Sequence, residues 1–182
     1  KIINKKNYFL IKKEKEIDKW IEEAEEFGEL AIDTETSSLN PHQAELVGVS
    51  LSTQIGKACY IPIGHKSQDC LNKETVLKKL KPLLEDKSIK KIGQNIKFDF
   101  IVLYKHGIKM SSMEDTMLMS YVLDAGKNRH NMDILSEIHL NHKTISFKEL
   151  VGSGKKEINF SEVELNQAME YAAEDADITY RL

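Results

Sequence analysis

Two carboxylates stand two positions apart at the end of a short apolar run, Leu30-Ala31-Ile32-Asp33-Thr34-Glu35-Thr36. In an extended strand the side chains alternate faces, so Asp33 and Glu35 point one way and Leu30 and Ile32 the other, into a core. Neighbouring acids repel each other unless a cation or a shared proton lies between them. The pair therefore reads either as part of a metal site or as an accident at the exposed end of a strand. Other acids decide which, but 29 acids among 182 residues make a D-x-E pattern easy to obtain by chance.

Two further places could contribute. Asp99 falls near the start of a helix that opens around Ile96, where the helix dipole favours an acid in any case. Tyr171 and Asp175 are spaced i, i+4 on the final helix and share a face. Ala172, Ala173 and Ala176 beside them would let that helix lie close on a sheet. Taken alone, Tyr171 also fits a half-buried core tyrosine and Asp175 a surface acid. Glu174 and Asp177 read as ordinary surface acids.

The elements that must position these groups follow from periodicity. Residues 8–11 predict a strand. Ile17, Trp20, Ile21, Ala24 and Phe27 predict a helix with Trp20 in the core and Gly28 as its C-cap. Residues 45–53 and 57–64 predict two more strands joined by a short hairpin at Gln54-Ile55-Gly56, so the Asp33 strand and these two should be antiparallel neighbours. A helix from Asn72 carries Val76, Leu77, Leu80, Leu83 and Leu84, and Pro82 should kink or divide it. A strand over 89–93, a helix over 96–106 stopped by Gly107, and helices over 113–123 and 132–140 follow. Met117, Leu118, Tyr121 and Val122 are expected in the core. Residues 147–151 read as a helical turn and 152–156 as a loop. Ser161 with Glu164 reads as a capping box opening the last helix. A strand meander followed by helices, with one more strand between helices, is an α/β domain with a mixed sheet.

Composition narrows the function. The net charge of −3 argues against binding nucleic acid by bulk positive charge, though divalent cations can neutralise phosphate locally. No apolar run has the length of a membrane span, so no membrane partner is expected. Cys59 and Cys70 lack metal-ligand spacing and suggest a reducing compartment. His65, His106, His130, His139 and His142 lack the accompanying cysteines or paired spacing of a zinc site and are taken as structural or surface residues.

The segments Asp33-Thr34-Glu35-Thr36, Asn95-Ile96-Lys97-Phe98-Asp99 and Tyr171-Ala172-Ala173-Glu174-Asp175-Ala176-Asp177, in this order, resemble the three motifs of the DEDD exonucleases. Tyr171, four residues before Asp175, marks the resemblance as one to the DEDDy branch. The surrounding sequence is similar to the 3′–5′ proofreading domain of family A bacterial DNA polymerases. Gly93-Gln94-Asn95, Arg129-His130-Asn131-Met132-Asp133 and His142-Lys143-Thr144-Ile145-Ser146-Phe147 add to the likeness, which runs from about Tyr8 to Leu182.

That resemblance implies an RNase H-like fold over residues 1–182 as a single exonuclease domain, with an antiparallel strand meander in a mixed sheet flanked by helices. It implies two divalent ions, Mg²⁺ or Mn²⁺. Asp33 would touch both, Glu35 and Asp175 would complete one site and Asp99 would hold the other, while Tyr171 orients the attacking water. For the substrate, a single-stranded DNA 3′ end, it implies Leu39 and Phe147 against the terminal bases, with Thr36, Asn95 and Arg129 as further contacts. On residues alone, Asn95 equally fits a helix cap and Arg129 a solvated loop residue. The expected setting is the bacterial cytoplasm, at the nucleoid, beside a C-terminal polymerase domain. An excised piece of such a polymerase and a stand-alone exonuclease both fit. An RNase D-like RNA exonuclease shares the same carboxylates, and a catalytically silent domain would have lost some of them. The motif wording favours DNA.

Overall fold

The acidic strand lies near the middle of a six-stranded sheet. In the computed structural model, which describes residues 3, 5–66 and 69–182, the strands are β1 (Tyr8–Leu10), β2 (Glu29–Thr36), β3 (Leu46–Gln54), β4 (Lys57–Pro62), β5 (Lys90–Gly93) and β6 (Met113–Asp115). Their order across the sheet is β1-β4-β3-β2-β5-β6. β2, β3 and β4 form the expected antiparallel meander, while β1 joins β4, and β5 and β6 extend from β2, in parallel. The sheet is mixed, and the helices cover both of its faces.

On one face lie α1 (Glu16–Phe27), α2 (Lys73–Glu85) and α3 (Lys97–Lys105). Leu30 and Ile32 of β2 meet Trp20, Leu80, Leu83 and Val102 there in one buried cluster, as the alternation requires. Gly28 ends α1 at φ 72°, a left-handed conformation that costs glycine little, and its N–H returns to Ala24 O.

On the other face lies α7 (Leu165–Arg181), which crosses β1, β2, β3 and β4. Its Ala172 packs with Tyr60 and Val47, and Ala173 and Ala176 pack with Tyr8 and Ala58. The alanines give the close approach that brings α7 down onto the strands. Gly48 serves the same face. A Cβ there would fall 2.1 Å from the Tyr60 hydroxyl, so only glycine leaves room for that ring beside Glu35's strand.

Several expectations need correction. Residues 113–123 are not one helix. Met113–Asp115 pairs with β5, and Asp115 then caps α4 (Thr116–Asp124) by accepting from Met117 N–H at 2.9 Å. α4 leaves the edge of the sheet, so Leu118, Tyr121 and Val122 are exposed rather than core, Val122 by 80%. α2 is not divided, because Pro82 sits in its last turn. The 132–140 helix is a short α5 (Met132–Leu135) followed by a π turn over Ser136–Leu140. The capping box belongs to Asn159 and Glu162, around the 3₁₀ turn Phe160–Glu162, and α7 begins later with Glu164 as its own cap. The loop over 152–156 holds a 3₁₀ turn, Gly154–Lys156, and α6 (Phe147–Val151) is the expected helical turn.

Candidate active site

The acids meet at the C-terminal end of β2, and they arrive from both layers. β2 itself carries Asp33 and Glu35 toward α7, and its pairing with β3 slips between Glu35 and Thr36, a bulge that ends the regular ladder where the cleft opens. α7 carries Asp175, and one carboxylate oxygen each from Asp33, Glu35 and Asp175 lie within 4.8 Å of one another. Asp99 comes from the first turn of α3, on the opposite side, and stands beside that triplet rather than within it. Thr34, whose side chain alternates toward α3, ties it down: its N–H and Oγ1 both donate to Asp99 Oδ1, at 2.9 and 2.6 Å. The only signal for Thr34 in the sequence is its place between two acids that share a face, which turns its own side chain to the other face, where Asp99 needs holding.

Burial raises the proton affinity of all four acids, and repulsion by neighbouring carboxylates adds to it at Glu35, Asp99 and Asp175. Asp33 is pushed up to about 6 by loss of solvent. Burial also raises Glu35 well above the usual carboxylate range, and Asp33, Asp175 and Asp99 raise it further. Asp99 and Asp175 are raised by burial and then by Asp33. Tyr171 is driven far above an ordinary phenol by burial and by Asp175, Glu35 and Asp33. Glu35 Oε1 is buried and has no hydrogen-bond partner among the described residues. A buried carboxylate oxygen left bare is costly unless a cation completes it. An all-oxygen set of this kind suits a hard divalent ion such as Mg²⁺ or Mn²⁺.

A cleft of about 600 Å³ opens over the acids, and Thr36, Leu39, Asn95, Phe147 and Tyr171 stand in its walls. Leu39 is 91% exposed at the mouth. Phe147 stacks on Phe160 with the rings 6° from parallel and 6.2 Å apart, and it also packs on Tyr171 at 5.8 Å. Asn95 is not a side-chain cap. α3 starts without one, and Asn95 instead takes a left-handed φ of 59° with its N–H held by Asp115 Oδ1 at 3.0 Å. Arg129 lies outside the cleft, in a neighbouring hollow of about 440 Å³ with Leu118, Tyr121 and His130. Gln94 links the two by donating from Nε2 to His130 O at 2.8 Å. A larger hollow of about 730 Å³, between Lys12, Lys66 and Glu164, contains none of these residues.

Glu174 and Asp177 are not surface acids. Both are fully buried on α7. Asp177 accepts from the Tyr8 hydroxyl and Gly56 N–H, each at 2.7 Å, and from Arg181 Nε at 3.0 Å, which pins α7 to β1 and the hairpin. Of the histidines, His65 is buried and bonded to the Tyr60 hydroxyl at 2.6 Å, and His142 is bonded to Glu174.

The sequence model of the 3′–5′ exonuclease family matches residues 8–182, nearly the whole chain. The chain belongs to that family. The chain is 44% identical to DNA polymerase I of Rhizobium leguminosarum and 43% identical to that of Pseudomonas aeruginosa, over 91% of its length in each case. It spans only 18% and 19% of those two relatives. Among solved structures, Brucella melitensis NrnC with bound Mg²⁺ is 28% identical, with a TM-score of 0.63 over 98% of this chain and 72% of that one. Trypanosoma brucei RNase D is 13% identical with a TM-score of 0.76 over 97% of this chain and 64% of that one, a likeness of fold. The RNase H-like architecture expected from the sequence is therefore the one observed.

Proposed function

We propose that this exonuclease hydrolyses the terminal phosphodiester at the 3′ end of single-stranded or frayed DNA, releases 5′-mononucleotides, and proofreads for a DNA polymerase I of which residues 1–182 form one domain. The observation that carries the reading is the convergence of Asp33, Glu35 and Asp175 around a bare, buried Glu35 oxygen, with Asp99 alongside. Four acids that mutual repulsion disfavours are kept where two divalent ions would relieve them. Such ions, when bound, activate water and stabilise charge on the attacking and leaving oxygens. The chain's own residues do the rest. Asp33, Glu35 and Asp175, with oxygens within 4.8 Å of one another, would hold one ion, and Asp99, set apart by Thr34 but close enough to feel the Asp33 charge, would hold the other together with Asp33. Tyr171 stays protonated, so it orients the nucleophilic water as a hydrogen-bond donor instead of taking its proton.

Leu39 and Phe147 are assigned to the terminal bases. Apolar and aromatic surfaces accept any base, which suits an enzyme that removes whichever nucleotide was misplaced. Selectivity then comes from fraying, because a mismatched end unpairs at lower cost. Thr36 and Asn95, in the same walls, are assigned to the terminal nucleotide. Arg129, in the next hollow, is assigned to phosphate further along the strand. The similarity to bacterial polymerases supports a cytoplasmic setting, at the nucleoid, with a C-terminal polymerase domain as the covalent partner.

The test is degradation of a 3′-labelled single-stranded oligonucleotide with Mg²⁺ or Mn²⁺, in DNA and RNA of one sequence. Wild-type protein should release mononucleotides from DNA and stop in EDTA. Asp33→Ala and Asp175→Ala should each lose about 10²- to 10³-fold in kcat, the scale of removing a preorganised electrostatic group. Activity that survives EDTA, or persists in both variants, would refute the metal-dependent reading. A clear preference for RNA would move the chain to the RNA-degrading branch of the fold.

A further inference from the structure

We propose that Glu174 is a positioning residue for Phe147, holding the 142–147 segment so that the exposed ring meets the terminal base. The inference rests on the exonuclease reading and assigns a task to a residue outside the carboxylate set. Glu174 is fully buried, and each oxygen is used. Oε2 accepts from Ile145 N–H at 2.6 Å, and Oε1 accepts from His142 Nε2 and Lys5 Nζ, each at 2.8 Å. Two of the three donors therefore come from one stretch of chain that ends two residues before Phe147. A buried carboxylate is an expensive way to fill space next to Ala172, Ala173 and Ala176, since the cost of desolvation is offset only by specific donors. What this one supplies is an anchor for backbone.

Phe147 needs such an anchor. Phe147 is 41% exposed, so burial alone does not fix its ring. It touches Phe160 and Tyr171 on one side and faces the cleft on the other. Tyr171 and Glu174 sit i, i+3 on α7 and hold the two ends of the segment, the ring and the backbone before it. A second tether, Thr144 Oγ1 donating to Asp133 Oδ1 at 2.6 Å, fixes the segment to α5 without involving α7. The helix that would deliver Asp175 to the metal site thus also sets the surface on which the base rests, and the distance between the two is built into about one turn of that helix, from Tyr171 to Asp175.

A double-mutant cycle on single-stranded DNA excision tests this. Phe147→Ala should raise KM about tenfold, the size of one stacking contact. Glu174→Ala should raise KM about three- to tenfold with kcat within about twofold, and should add almost nothing in the Phe147→Ala background, because residues that act through one another are non-additive. Glu174→Gln, which keeps an acceptor for Ile145 N–H, should recover most of the loss. A fall in kcat equal to the rise in KM, or a full additive penalty in the Phe147→Ala background, overturns the proposal. If Glu174→Ala does not fold, Thr144→Val enters the same cycle, where coupling to Phe147 supports the proposal and additivity overturns it. Wild-type protein that degrades no 3′ end refutes the exonuclease reading itself, and this inference with it.

Discussion

At the scale of single residues, Tyr171 separates two kinds of catalysis. A phenol acting as general base would need a depressed pKa, and here burial and three nearby carboxylates push it the other way. Tyr171→Phe removes one oriented hydrogen bond and should lower kcat about 10- to 100-fold, the scale of misplacing a reacting group. Because the lost group never ionises in the working range, the pH profile should keep its shape and only drop, and a profile that loses the limb rising with pH would make Tyr171 the base. Asp33, Glu35 and Tyr171 were legible in the sequence because period two and the i, i+4 spacing fix which side chains share a face. Glu174 and Asp177 were not. An acid's burial depends on donors far along the chain, His142 and Tyr8 among them, and no local pattern announces these.

Among the elements, the strong amphipathic ones declared themselves and the short ones did not. α1 and α2 carry long apolar stripes, and β2 to β4 alternate or are buried outright. β6 has three residues, too few for any period, and its Asp115 was readable only as a cap once the strand was seen to end there. The apolar spacing of Met117 to Val122 looked like core because periodicity reports a face, not what covers it. Stability should follow the structure. Val122→Ser on exposed α4 should change unfolding free energy by no more than about 0.5 kcal/mol, whereas Leu80→Ala, fully buried under the sheet, should cost about 2–5 kcal/mol. Gly48→Ala should be destabilising by about 1–3 kcal/mol through overpacking against Tyr60, and chemical denaturation of the three variants checks the order.

Across the whole molecule, the acid cluster makes stability depend on pH and on metal in a way whose sign is fixed. The folded-state affinities of Asp33, Glu35, Asp99 and Asp175 for protons are raised above those of the unfolded chain, Asp33 to about 6. Between an unfolded value of about 4 and the raised one, the folded protein binds more protons, so stability falls as pH rises through that window. His65 contributes with the opposite sign, since burial lowers its affinity and its protonation below an unfolded value of about 6.5 favours unfolding. The two are separated by comparing wild type with Asp33→Asn, in which His65 is unchanged. Metal-free wild type should lose Tm from pH 5 to pH 8 relative to Asp33→Asn. Millimolar Mg²⁺ or Mn²⁺ at pH 8 should restore it in wild type alone, because an ion that binds only the folded state stabilises by mass action. Parallel Tm curves for the two proteins, with and without metal, would mean that the four acids carry no unrelieved charge, and the bare Glu35 oxygen would then need an occupant other than a cation.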